Sequence, residues 1–269
     1  PEIYTLSLHD ALPIFTYVFD RARKEVVVDW HQDGVPSLQG QVSDQPVKGA
    51  RTWFRGWRSG LLMQHDGRHG LQLRVRIPGL QLRAELSLAD AAPFLLAMGP
   101  IENGLGHATQ KSSALPVDGW LTVRGRRFEL GNAVACIDSS NGLLARETHW
   151  RWACAHSPEV GFNLQQGYFG NNENALWLDG RLIPLGSARF EFDARAPMTP
   201  WRVQTEDGLL DLLFTPEGGR QADRNMGFAA SHYVQPVGTF DGWVKPHADA
   251  SPVPVRHLLG VTEDHHSRW

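Results

Sequence analysis

Long hydrophobic runs are missing from this chain. No stretch of about 18 apolar residues occurs among its 269, so no membrane span is expected. Cysteine is scarce: Cys136 and Cys154 are the only two, and they stand at no metal-ligand spacing. They read as reduced structural thiols of a cytoplasmic protein. Positive charge is not in excess either. With 26 Lys and Arg against 29 Asp and Glu, the net charge of −3 gives no reason to expect nucleic acid or an anionic membrane as partner. Neither a Gly-rich phosphate loop nor a G-x-S-x-G elbow is present, so nucleotide cofactors and serine hydrolysis drop out and no cofactor is expected. Helical periodicity is weak. "SLADAAPFLLAM" (87–98) suits a turn or two of helix, interrupted by Pro93. Methionine does not appear before Met63.

Ten Trp, 27 Gly and 17 Pro are what the chain has in quantity. Frequent turn residues between short segments suggest many strands. "LQLRVRI" (71–77) sets Leu71, Leu73, Val75 and Ile77 on one face, and "LQLRAELSL" (80–88) repeats the alternation after Pro78-Gly79, which reads as a hairpin. Arg124-Gly125, Asp179-Gly180 and Asp207-Gly208 each separate apolar runs in the same way, and Asp-Gly supplies the positive φ angles of a tight turn. "HDGRHG" (65–70) is a turn, and "KPHADASPVPVR" (245–256) reads as a surface loop. The expected class is therefore all-β and antiparallel, with sheets that must close or stack to bury one apolar face per strand.

Candidate chemistry concentrates in two blocks. The first opens with "CIDSSNGLLARETHWRWACA" (136–155). Asp138 follows a short apolar run; pointed inward, it needs a partner or a raised pKa and could donate a proton, whereas pointed outward it caps a strand or pairs with Arg146. Trp150 and Trp152 share a strand face, either lining a ligand or packing in a core. Asn163 and Glu173 follow downstream; Glu173 is either a second carboxylate facing Asp138 or a loop residue in solvent. The second block is the ending "LLGVTEDHHSRW", where Glu263 inside an apolar run stands near His265 and Arg268. His265 and His266 have no further ligand at a known metal spacing, and no metal is expected.

These blocks, with "GFNLQQG…NENALWLDGRL", "PWRVQTEDGLLDLLFTP" and "QPVGTFDGWV", resemble a bacterial family catalogued as domain of unknown function 2804, from about Phe15 to Trp269. That family has an Arg-Gly pair after the Asp where this chain reads Asn141-Gly142, which weakens any role for a cation at that spot. More distantly, "LTVRGRRFEL…VACIDSS…ETHWRWACA" and "LLGVTED" are similar to the carotenoid 1,2-hydratase and AttH-like proteins. That resemblance implies tandem lipocalin-like (calycin-type) antiparallel barrels, with Asp138 near their junction as an acid that protonates an isoprenoid double bond. The domains implied are 15–144, an incomplete first barrel, and 145–269, the second.

The functional expectation is a cofactor-free acid/base enzyme of hydratase, isomerase or cyclase type. It would act on a hydrophobic small molecule with Asp138, Glu263 and Arg146 catalytic and Trp150, Trp152, Asn163, Glu173 and His265 binding. A non-catalytic carrier of an apolar ligand is the alternative, and a carbohydrate-active protein the third. The opening needs separate treatment. Glu2 to Ile14, "EIYTLSLHDALPI", is the in-frame translation of a widely used sequencing adapter. Residues 1–14 are expected to be an assembly artefact that packs poorly, ahead of a first barrel that lacks strands.

Overall fold

Turns form where residues that tolerate positive φ interrupt alternating runs. Arg124 and Gly125 take φ values of 47° and 82°, and Asp179 and Gly180 take 49° and 74°. These paired left-handed residues are those of a two-residue hairpin whose twist matches its strands. The computed structural model describes residues 2–5, 13–35, 37–45, 47–101, 106–143, 145–225 and 230–268.

Strands β1 (Glu2–Thr5), β2 (Pro13–Asp20) and β3 (Glu25–Asp33) form one antiparallel sheet. There follow β4 (Gly40–Gln41), β5 (Arg51–Arg55), β6 (Gly60–His65), β7 (Gly70–Ile77) and β8 (Leu80–Ser87). Next come β9 (Leu95–Gly99), β10 (Gly106–Lys111), β11 (Leu115–Val123), β12 (Arg126–Glu129), β13 (Ala133–Ala135) and β14 (Asp138–Leu143). The chain then lays down β15 (Glu147–His156), β16 (Val160–Gly167), a 3-10 turn at Gly170–Glu173, β17 (Ala175–Leu178), β18 (Arg181–Pro184), β19 (Ala188–Glu191) and β20 (Trp201–Thr205). Three long strands finish it: β21 (Leu210–Asn225), β22 (Ala230–Val244) and β23 (Val253–Arg268).

Two compact units interleave along the sequence. One comprises residues 1–91 and 115–135, the other 92–114 and 136–269. The first holds the β1–β3 sheet and a sheet ordered β12-β11-β8-β7-β6-β5-β4, with β13 also on β11. In β8 the burial alternates strictly, with Leu80, Leu82, Ala84 and Leu86 inward. Gly119 is required on β11: at φ +127°, a Cβ there would lie 2.1 Å from the Arg83 carbonyl oxygen.

The second unit pairs a three-stranded sheet, β14-β10-β9, with a curled nine-stranded one, β18-β17-β16-β15-β23-β22-β21-β20-β19. One face of the large sheet is apolar. Ala153 and Ala155 of β15, Phe162 and Leu164 of β16, Leu176 of β17 and Phe240 of β22 pack there, all buried. Phe162 meets Phe240 edge-on at 4.9 Å between centroids. The opposite face carries the candidate site.

The all-β antiparallel expectation holds, and among the described residues no helix is long and apolar enough to cross a membrane. Two local readings are corrected. Residues 87–98 form no helix: after a turn at Ala89 and Asp90 the chain extends into β9, because pairing with β10 outweighs weak helical propensity. The surface loop after Lys245 ends at Pro252, and 253–256 already belong to β23. Most of the adapter-like stretch lies outside the described residues, as does Trp269; its described part forms β1 and the start of β2, with Ile14 buried.

Candidate functional site

Strand periodicity assembles the site. On β15, Trp150, Trp152, Cys154 and His156 point away from the apolar face that Ala153 and Ala155 join. The register sets Trp150 opposite His265 and Trp152 opposite Glu263 on β23, while Trp152 and Cys154 face Gln165 and Asn163 on β16. One face thus gathers both indoles, an acid, an imidazole and two amides.

Glu263 is 7% exposed, and among the described residues the His265 ring, 3.7 Å away, is its one possible cation at ion-pair distance. Its carboxyl accepts from Trp150 Nε1 and from Gln235 Nε2, each at 2.8 Å. Burial pushes its pKa up to about 7, against the pull of those two donors, and the charge of Asp138 pushes the same way. The His265 ring lies 4.3 Å from that of Trp150, and its Nε2 pairs with the Ser267 and Ser231 hydroxyls at 2.7 and 3.1 Å.

A second charged group sits on the small sheet. Lys111 of β10 lies directly opposite Asp138 of β14. Its ammonium donates to Asp138 Oδ2 at 2.5 Å and reaches Glu173 Oε2 at 2.7 Å. Lys111 and Glu173 are 5% and 2% exposed, while the Asp138 side chain is 42% exposed. Burial alone would lower the Lys111 pKa, but the two carboxylates more than reverse it, and the net shift is upward. Burial raises that of Glu173, with the Lys111 charge opposing.

Amide side chains hold Glu173 in place. Asn163 Nδ2 donates to the Glu173 carbonyl oxygen at 2.8 Å, and Asn163 Oδ1 accepts from Trp152 Nε1 at 2.8 Å. Asn174 Oδ1 accepts from the Gln165 backbone and its Nδ2 donates to the Gly186 carbonyl oxygen. The 3-10 turn therefore presents its acid from a braced position. Tyr168, whose hydroxyl lies 3.4 Å from His107 Nδ1, has its pKa pushed up to about 12 by burial and by Glu173.

Seven of the eight candidate residues share this environment: Asp138, Trp150, Trp152, Asn163, Glu173, Glu263 and His265. Arg146 does not. It is exposed on the bend before β15, and among the described residues it has no ion pair with Asp138, whose cation is Lys111. The reading of Glu173 as a solvent-facing loop residue is also corrected by its burial. Lys111, His107, Tyr168 and Gln235 escaped sequence reasoning. A usable signal existed on β10, where His107, Thr109 and Lys111 alternate on the buried face. An open cleft of about 390 Å³ lies elsewhere, lined in part by Glu147, Asp223, Arg224, His232, His266 and Arg268, and takes in none of the buried acids.

Potential metal ligands converge at one place among the described residues. The Cys136 and Cys154 sulphurs and a His156 ring nitrogen lie within 4.8 Å of one another. Sequence spacing hides this, because Cys136 reaches the β15 pair only through the fold.

The chain belongs to the family described as domain of unknown function DUF2804, whose profile matches residues 7–269. No curated protein matches it by sequence. Its structure is similar to kievitone hydratase from Nectria haematococca, at TM-score 0.60 and 12% identity, covering 96% of this chain and 81% of that one. It is also similar to an AttH-like protein from Nitrosomonas europaea, at TM-score 0.58 and 16% identity, covering 94% and 80%. These likenesses establish the lipocalin-like fold.

Proposed function

We propose that this DUF2804 member is a cofactor-free acid/base enzyme that adds water to, or removes it from, an unsaturated hydrophobic small molecule. The observation that carries the reading is a pair of acids in contrasting environments. Glu263 is buried with no Lys or Arg at ion-pair distance among the described residues, and it holds its proton to about pH 7. Asp138 is accessible and ion-paired to Lys111. Environments that separate two carboxyls in this way assign the acid and the base. Glu263 delivers its proton to an alkene carbon; Asp138 takes the proton of the attacking water. Lys111 is a positioning residue for Asp138, and Glu173 balances its charge. The indoles of Trp150 and Trp152 offer faces that favour a developing cation. The name of kievitone hydratase gives hydration as that protein's reaction, which agrees with this chemistry.

The test is turnover on a panel of unsaturated isoprenoid and phenolic compounds in heavy water. Expected is the gain of one water with one deuterium on carbon. Glu263→Gln and Asp138→Asn should each lower kcat by about a hundredfold or more, the usual scale for loss of a general acid or base. Full turnover by either variant overturns the assignment. A ligand bound and released unaltered, with equal affinity in both variants, would make the protein a carrier instead.

A further inference from the structure

The cysteines lie outside the acid/base chemistry, and their surroundings are asymmetric. Cys136 is exposed, whereas Cys154 is buried on β15. Both sulphurs lie within 4.8 Å of each other and of a His156 ring nitrogen. His156 is itself held: its Nδ1 pairs with the Ser113 hydroxyl at 2.8 Å, and Trp177 packs edge-on at 5.7 Å. That pair fits only because residue 161, opposite His156, is glycine; a Cβ there would lie 2.4 Å from Ser113 Oγ and 2.6 Å from His156 Nδ1. The backbone after Cys136 is clamped as well. Ile137 N donates to Ser112 Oγ at 2.8 Å, and Ser112 N donates to the Ile137 carbonyl oxygen at 2.9 Å. An accessible thiol, a second thiol within reach, an imidazole and a group that orients the imidazole form the nucleophile-base-orienter pattern.

We propose that Cys136 and Cys154 are a redox-active dithiol: Cys136 is the site of attack on hydroperoxides, and Cys154 resolves it to a disulfide. His156 takes the proton of the Cys136 thiol, and the resulting thiolate attacks the terminal peroxide oxygen. An S–O bond forms, the O–O bond breaks, and the alcohol leaves with a proton from His156. Sulphur loses two electrons and the peroxide gains them. The Cys154 sulphur then attacks Cys136, forming S–S and expelling the hydroxyl, which leaves as water with the Cys154 proton.

The experiment uses the full reduced chain and one equivalent of hydrogen peroxide, read by intact mass and peptide mapping. Expected is the loss of two hydrogens, mapped to a Cys136–Cys154 crosslink and reversed by dithiothreitol. Cys154→Ser should stop at one added oxygen on Cys136, trappable by dimedone, and His156→Ala should slow the reaction about tenfold. As a check independent of variants, iodoacetamide should alkylate Cys136 well before Cys154 in the unaltered chain. Uptake of two or three oxygens without a crosslink overturns the proposal, as does equal alkylation of both thiols. One zinc retained per reduced chain, lost in Cys136→Ser and blocking the peroxide reaction, would overturn it in favour of a metal centre.

Discussion

Where β15 and β16 run side by side, the nine-stranded sheet of the second unit buries residues on both of its faces, by opposite means. On one, Phe162, Leu164, Leu176 and Phe240 exclude water without needing any particular partner. Against the other, Glu263 of β23, Lys111 of the small sheet and Glu173 of the 3-10 turn are also buried, but each depends on named donors or counter-charges. Apolar packing degrades in steps as atoms are removed. A polar network fails when one member is lost, because the partner left behind is buried unsatisfied. β15 belongs to both regimes, with Ala153 and Ala155 on the first face and Trp150 and Trp152 on the second.

The comparison can be sharpened by substitutions on each face. Phe240→Ala should cost about 4 kcal/mol of stability in urea unfolding, through lost transfer energy and a cavity. Lys111→Met should cost about 3 kcal/mol by stranding Glu173, and Lys111→Met with Glu173→Leu should recover most of it. Failure of that rescue would mean that the charges are not the cause. Glu263 supplies a pH test. It keeps its proton in the fold after the unfolded chain, with a value near 4.5, has lost it. The unfolded state then binds fewer protons, so stability falls as pH rises from 5 to 7, by about 2 kcal/mol, and Glu263→Gln should remove that slope. Smallest is Trp152→Phe, which deletes one bond to Asn163 and should cost about 1 kcal/mol.

Local chemistry was legible wherever few residues decide it. Arg124-Gly125 and Asp179-Gly180 turn as their φ preferences require, and Trp150 and Trp152 share a face because strands repeat every two residues. The burial of Glu173 was not legible, since it depends on Asn163 from another strand gripping its backbone. Lys111 was overlooked because a lysine beside Gln110 and Ser112 reads as surface. Only the fold supplies the two carboxylates that permit its burial. Arg146 shows the converse: nearness to Asp138 in sequence did not become an ion pair among the described residues, and its side chain stays exposed.

The Lys111 pair also imposes an order on biosynthesis. Its excursion, residues 92–114, belongs to a unit otherwise made of residues 136–269. Lys111 therefore leaves the ribosome roughly 60 residues before Glu173, a wait of several seconds at ordinary elongation rates. Before that carboxylate is made, Asp138 is the one partner of the Lys111 ion pairs that has been translated. The first unit, by contrast, takes no segment from beyond Ala135. Burial of this one cation therefore ties a segment made early to carboxylates made later in the chain.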